Sequence, residues 1–208
     1  MTRSRREPAD KSASEIQIID AVDRLLRRGE KYTEISVQRI LTEAGLSRAT
    51  FYAHFRDKAD VITRMVDTLR NRLLAMAGEL DLGAGDDGAE RFGRFLLASV
   101  RLQRESGPLL AALREVAAYD SAVRDFYTED LEGFDEVVHR TVVAQQRSGA
   151  TPAEVDATVA SRIVVWGGEQ AIARHIAVDD GSGDEVFARE LGAVFWYGVY
   201  RRPSMGDH

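Results

Sequence analysis

The chain has 208 residues, 44% hydrophobic and 30% charged, with a formal net charge of −6. That composition is globular rather than disordered, and the length suffices for one large domain or two small ones around a real core. The absence of cysteine excludes disulfide scaffolds, thiolate metal sites and cysteine nucleophiles. The longest uncharged apolar stretch near the C-terminus, Leu191–Tyr200, is too short to span a bilayer. No apolar segment follows Met1-Thr2-Arg3-Ser4-Arg5-Arg6-Glu7, so a cytoplasmic protein is expected. Charge is uneven: residues 1–60 carry 12 Lys+Arg against 10 Asp+Glu, a net of +2, which leaves −8 for residues 61–208. A mildly basic head on an acidic body acquires meaning only beside a motif.

Apolar residues recur at helical spacing, and sustained period-2 runs are missing. Ile16, Ile19, Val22, Leu25 and Leu26 form the first stripe. It opens at the capping box Ser12-Ala13-Ser14-Glu15 and closes at Gly29. A short second helix follows Ser36 and runs to Ala44, Gly45-Leu46-Ser47 makes a tight turn, and a third helix runs from Arg48 to about Phe55. Asp57 can cap a longer fourth helix striped by Val61, Met65, Leu69, Leu73 and Leu74. Residues 81–88 read as a loop, and helices resume at roughly 89–105, 108–118, 121–148, 152–178 and 184–201. Thr151-Pro152-Ala153-Glu154 combines a capping box with proline at the first helical position and predicts a start there. The expected fold is all-α with about nine helices. An N-terminal three-helix head (1–60) precedes a larger helical body (61–208).

Two short helices joined by a glycine-containing turn, with a third helix before them, describe a helix-turn-helix. At 100° per residue, Phe51 and Phe55 share one face of the third helix, opposite Val37, Ile40, Leu41 and Ala44 of the second. Ala49 and Ala53 then point away, flanked by Arg48, Thr50, Tyr52 and His54. Small residues let such a helix sink into a major groove, where Arg can bond a guanine edge and Thr or Ala can touch a thymine methyl. Tyr52, His54 and Lys58 suit phosphate oxygens. The competing reading is a generic bundle in which Gly45 is an ordinary loop glycine.

The run Ile35-Ser36-Val37-Gln38 through Ala44-Gly45-Leu46-Ser47-Arg48-Ala49-Thr50-Phe51-Tyr52-Ala53-His54-Phe55-Arg56-Asp57-Lys58 resembles the N-terminal signature of the tetracycline-repressor (TetR) family of bacterial regulators. The resemblance covers about the first 60 residues. It implies a homodimer, a three-helix DNA-binding head, a body with a small-molecule pocket, and a dimer interface built from the last two long helices. Carried over, it places Arg48, Ala49 and Thr50 at bases, Tyr52, His54 and Lys58 at phosphates, and Ser36 and Gln38 also at the DNA. Ala53 stands where some members carry an aromatic, which weakens that contact.

The last two helices are rich in large apolar residues, and Ile163, Ile172, Phe187, Leu191, Val194, Phe195 and Trp196 are candidates for a dimer seam. The alternative for each is internal core. For a pocket, the candidates are Phe92, Phe95, Tyr119, Phe126, Tyr127, Phe134 and Trp166, with Arg162, Glu169 and Gln170 as polar partners. The aromatic bias favours an uncharged or elongated hydrophobic ligand.

Other patterns carry less. Gly83-Ala84-Gly85-Asp86-Asp87-Gly88 spells a dinucleotide fingerprint, but it follows a helix and its aspartates repel phosphate. Glu136-Val137-Val138-His139 has no second copy, and His54, His139, His175 and His208 share no metal-ligand spacing, so no cofactor or metal is expected. The expected function is a repressor released from a palindromic operator by a small ligand, not an enzyme. A helical enzyme using the body cavity and a ligand-independent DNA-binding protein regulated by a partner remain as alternatives.

Overall fold

A computed structural model describes residues 12–80 and 87–203. The arm at Arg3, Arg5 and Arg6, most of the fingerprint-like loop, and His208 lie outside the described residues. Within them the chain forms nine helices and no strand, the all-α architecture expected. These are α1 (Ala13–Arg27), α2 (Val37–Ala44), α3 (Arg48–His54), α4 (Lys58–Gly78), α5 (Gly88–Glu105), α6 (Gly107–Ala117) and α7 (Ser121–Arg147), followed by two composite helices. The first of these, α8, is α-helical over Ala157–Arg162, widens into a π turn over Ile163–Gly167, and resumes over Gly168–Val178. The second, α9, covers Asp184–Phe195 and ends in a π turn over Trp196–Tyr200. The chain separates into two compact units. One takes the chain up to Asp67 together with Pro108–Arg124, and the other takes Thr68–Gly107 with the chain from Asp125 onward.

In the first unit the start signals act as their chemistry requires. Ser12, Ser36 and Ser47 each cap a helix by accepting the backbone N–H three residues on. Gly45 ends α2 at φ +68°, a conformation that glycine adopts without a Cβ penalty. Asp57 caps α4 by accepting from Asp60 N at 2.9 Å. The first stripe needs one correction: Ile18 and Ala21 join Val22, Leu25 and Leu26 in the core, while Ile16 is exposed. Ile16 and Ile19 lie on the shoulders of the stripe, and contact with α2 and α3 decides which side is buried.

Glu43 on α2 gathers Arg24 and Arg28 of α1 and Arg39 of its own helix, with Arg28 Nη1 at 2.9 Å. Hydrogen bonds from Arg28 and then Arg24 lower its carboxyl pKa from 4.5 to about 2. A carboxyl depressed by folding stabilises fully above its unfolded pKa and loses that contribution as pH falls towards the folded one. The head of the wild type is therefore expected to lose stability between about pH 4.5 and pH 2. Glu43→Gln, which has no such proton to take up, should show a shallower loss across that window. Acid titration followed by circular dichroism checks this, and equal slopes would contradict it.

In the second unit, α5 packs along α9. Phe92, Leu96 and Val100 of α5 meet Phe195, Trp196, Val199 and Tyr200 of α9, with Val142, Val164 and Ile172 completing the cluster. Thr151 does not start α8. It is buried, and its hydroxyl donates to the Tyr200 carbonyl at 2.8 Å. The Gln146 amide donates to the carbonyls of Pro152 and Val155, which holds residues 151–155 as a turn. The true cap is Asp156, which accepts from Thr158 N and Val159 N. A local capping pattern was outcompeted by side chains that anchor the turn.

Candidate nucleic-acid interface

The exposed face of α3 follows from how its other face is spent. Phe51 and Phe55 are fully buried, with ring centroids 5.6 Å apart. That fixes the roll of the helix and turns Arg48, Ala49, Tyr52 and Ala53 to solvent. Tyr52 is 48% exposed yet ordered on both sides. Its ring meets Phe51 edge-on at 5.3 Å, and the Arg48 guanidinium lies over it at 5.6 Å. The two residues thus form one preorganised patch of cation, phenol and flat apolar surface.

The remaining candidates are placed as follows. Ser36 and Gln38 are exposed at the start of α2, where Ser36 is the N-cap and accepts from Arg39 N at 3.1 Å. Thr50 sits in the first turn of α3, and its hydroxyl lies 2.8 Å from that of Ser47. His54 is half-buried, with Nε2 3.3 Å from Ser12 Oγ at the start of α1. Lys58 is engaged differently from a free phosphate donor. Its ammonium donates to the carbonyls of Tyr32, Thr33 and Ile35 at 2.9, 2.9 and 3.0 Å. Tyr32 in turn donates to the Lys58 carbonyl. Burial lowers the Lys58 pKa. The lysine staples the α1–α2 connection to the start of α4. Composition gave no signal of this, since any lysine near a helix start reads as an anion site.

The body candidates divide. Phe92 is core, with ring centroids 6.1 Å from Phe95, 6.3 Å from Phe195 and 5.9 Å from Tyr200. Phe126, Tyr127 and Phe134 are half-buried on α7, and Tyr127 donates to Glu169 Oε1 at 2.7 Å. Gln170 donates to the other Glu169 oxygen, and Arg162 and Trp166 are exposed. Tyr119 is exposed and belongs to the first unit, whereas the other pocket candidates belong to the second. Of the seam candidates, Ile172, Phe195 and Trp196 are buried in the core of the single chain, and Phe187 and Leu191 are half-buried. Ile163 and Val194 are 55% and 64% exposed. They share an open apolar groove with Val155, Val159 and Val199, and Trp166 and Tyr197 are exposed on the same two helices.

One charged cluster escaped the sequence reading. His175, Asp179 and Asp184 bring ligand atoms within 4.8 Å of one another. Arg104 occupies that place as the cation: its Nη2 and Nε reach the two Asp184 oxygens at 2.6 and 3.1 Å, and His175 Nε2 lies 2.9 Å from Asp184 Oδ1. Arg104, then His175, holds the Asp184 carboxyl below its usual range. The cluster ties the α8–α9 turn to α5. The i, i+4 spacing of His175 and Asp179 was its only sequence trace. No helix is long and apolar enough to cross a membrane among the described residues.

Residues 18–65 match the family model described as "Bacterial regulatory proteins, tetR family". No curated protein matches the chain. Solved structures do. GusR of Salmonella enterica superposes with a TM-score of 0.74 at 18% identity, covering 93% of this chain and 98% of its own. A TetR transcription regulator from Haloarcula marismortui gives 0.72 at 20% identity, with 91% and 99% covered. A transcriptional regulator from Saccharomonospora viridis, solved in complex with choline, gives 0.71 at 18% identity, with 92% and 100% covered. The head thus carries the sequence signature of the TetR family, and nearly the whole chain takes the fold of solved TetR-family regulators.

Proposed function

We propose that this regulator is a cytoplasmic homodimeric repressor. It holds a near-palindromic operator through the exposed face of α3 and releases it when a small hydrophobic molecule enters the body. The observation that carries the reading is the division of α3: Phe51 and Phe55 are locked into the core, while Arg48, Ala49, Tyr52 and Ala53 are exposed among the described residues. Arg48, Ala49 and Thr50 are assigned to bases, and Tyr52, His54, Ser36 and Gln38 to backbone and flanking contacts. Lys58 supports them chiefly by bracing the segment that leads into Ser36.

Support for the dimer comes from the exposed Val159, Ile163, Trp166, Val194 and Tyr197 on α8 and α9, of which Val159, Ile163 and Val194 line one apolar groove of the kind that marks an interface. The solved neighbour with choline bound supports a body built to take a small molecule. The ligand acts by binding better to a state whose two α3 helices no longer match the operator spacing. On this reading the protein binds and releases but turns nothing over.

The test is selection of duplexes from a randomised pool. The wild type is expected to enrich two half-sites in inverted repeat. Arg48→Ala is expected to weaken binding by about 1–3 kcal/mol and to relax the preference at one base pair per half-site. Recovery of the same consensus with the same affinity by both proteins would remove Arg48 from the base-reading face.

A further inference from the structure

The connection between α1 and α2 ends on Ser36, so its shape decides where the exposed start of α2 points. It is a closed turn: Glu34 N and Ile35 N donate to the Lys31 carbonyl at 3.0 and 3.2 Å. Tyr32 anchors it from inside, fully buried and donating to the Lys58 carbonyl. The Lys58 ammonium anchors it from below through the carbonyls of Tyr32, Thr33 and Ile35. Carbonyl dipoles solvate an ammonium but leave its charge in place.

The carboxylate that acts on this charge comes from far along the chain. Glu115, half-buried on α6, accepts a hydrogen bond from the Thr33 hydroxyl. Its field favours the charged form of Lys58, against the burial that lowers the lysine pKa. Thr33 is therefore held at two points, its carbonyl by Lys58 and its hydroxyl by Glu115. The helix that carries Glu115 is itself fixed in roll, because Leu109, Ala112, Leu113 and Val116 are buried. The segment Pro108–Arg124, which contains most of α6, falls in the same compact unit as α1, α2 and α3.

We propose that Glu115 is a positioning residue for DNA reading: from α6 it pins the α1–α2 connection through Thr33 and so presets Ser36 and Gln38 for the operator. This rests on the reading of the N-terminal helices as the operator-binding face. A turn already ordered in the free protein does not have to be ordered during binding, so the pin contributes to affinity without touching DNA. An exposed ion pair is worth little, but a carboxylate accepting from a hydroxyl on a closed turn, beside a partly buried cation, makes a stronger, directional contact.

The test compares the full chain with Thr33→Val, Thr33→Ser, Glu115→Ala and the double variant Thr33→Val/Glu115→Ala. Anisotropy with a duplex from the selected pool reads operator affinity, and amide exchange of residues 31–36 without DNA reads the order of the turn. Thr33→Val and Glu115→Ala are each expected to weaken operator binding about fivefold or more and to speed exchange in the turn. Thr33→Ser keeps the hydroxyl and should keep wild-type affinity. The double variant should lose no more than the weaker of the two single variants, because both remove one contact. Faster exchange with unchanged operator affinity would overturn the proposal, since the contact would then serve only the stability of the turn. Losses that simply add, or exchange equal to the wild type in both single variants, would overturn it too. The exchange measurement uses no DNA, so a failed pin and a failed operator reading are told apart.

Discussion

Phe51→Ala is expected to melt the DNA-binding head and abolish operator binding while the second unit stays folded. Phe51 is fully buried at the junction of α1, α2 and α3, and it is the ring against which Phe55 and Tyr52 both pack. Truncating a buried phenylalanine costs about 3–5 kcal/mol, comparable with the whole stability of a small domain. Two consequences are separable. Thermal unfolding by circular dichroism should show a low-temperature transition absent from the wild type. Operator titration above that transition should show no binding, while the second unit still gives its own melt. A single wild-type-like melt with retained affinity would mean that α3 is held in place by something other than its aromatic face.

Gly192→Val is expected to have the largest effect on the second unit. A Cβ at Gly192 would lie 2.9 Å from both the Cα and the N of Gly93, so the clash is with backbone and cannot be relieved by a rotamer change. The crossing of α5 and α9 depends on that close approach, and α9 also carries Val194 and Tyr197 of the proposed dimer face. Overpacking of this kind costs about 1–3 kcal/mol and more when helices must separate. Gly133→Ala is the control. Its Cβ would meet nothing within 4 Å on exposed α7, and helix propensity predicts a gain of about 0.5–1 kcal/mol. Urea denaturation of both variants checks the pair. A Gly192→Val protein as stable as the wild type would show that the two helices do not need contact at that level.

The head was legible because its signals are local and mutually consistent. Three serine caps, Gly45 and the Phe51–Phe55 pair each act within a few residues, and all point to the same three helices. The body was less legible wherever long-range packing decided the outcome. Thr151-Pro152 carries a strong start signal, yet the demands of Tyr200 and Gln146 from elsewhere in the chain turn it into an anchored loop. The π turns at 163–167 and 196–200 leave no mark in a 3.6-residue pattern. Phe195 and Trp196 read as interface residues by size and position, but α5 already covers them. Lys58 shows the same limit at the site itself, since its three carbonyl partners lie 23 to 26 residues away in sequence.

Operator recognition as proposed requires α3 to present its Tyr52 face to DNA. Fluorescence anisotropy with a labelled duplex from the selected pool tests it directly, comparing the wild type with Tyr52→Ala. Tyr52 is half exposed and its truncation leaves Phe51 and Phe55 in place, so melting temperature and oligomeric mass should not change. Losing an ordered tyrosine at the centre of an interface costs at least about 2 kcal/mol, so operator affinity should fall about thirtyfold or more. Operator affinity equal to the wild type would remove α3 as the DNA-reading element, because the chain would then be reading DNA, if at all, with a different surface.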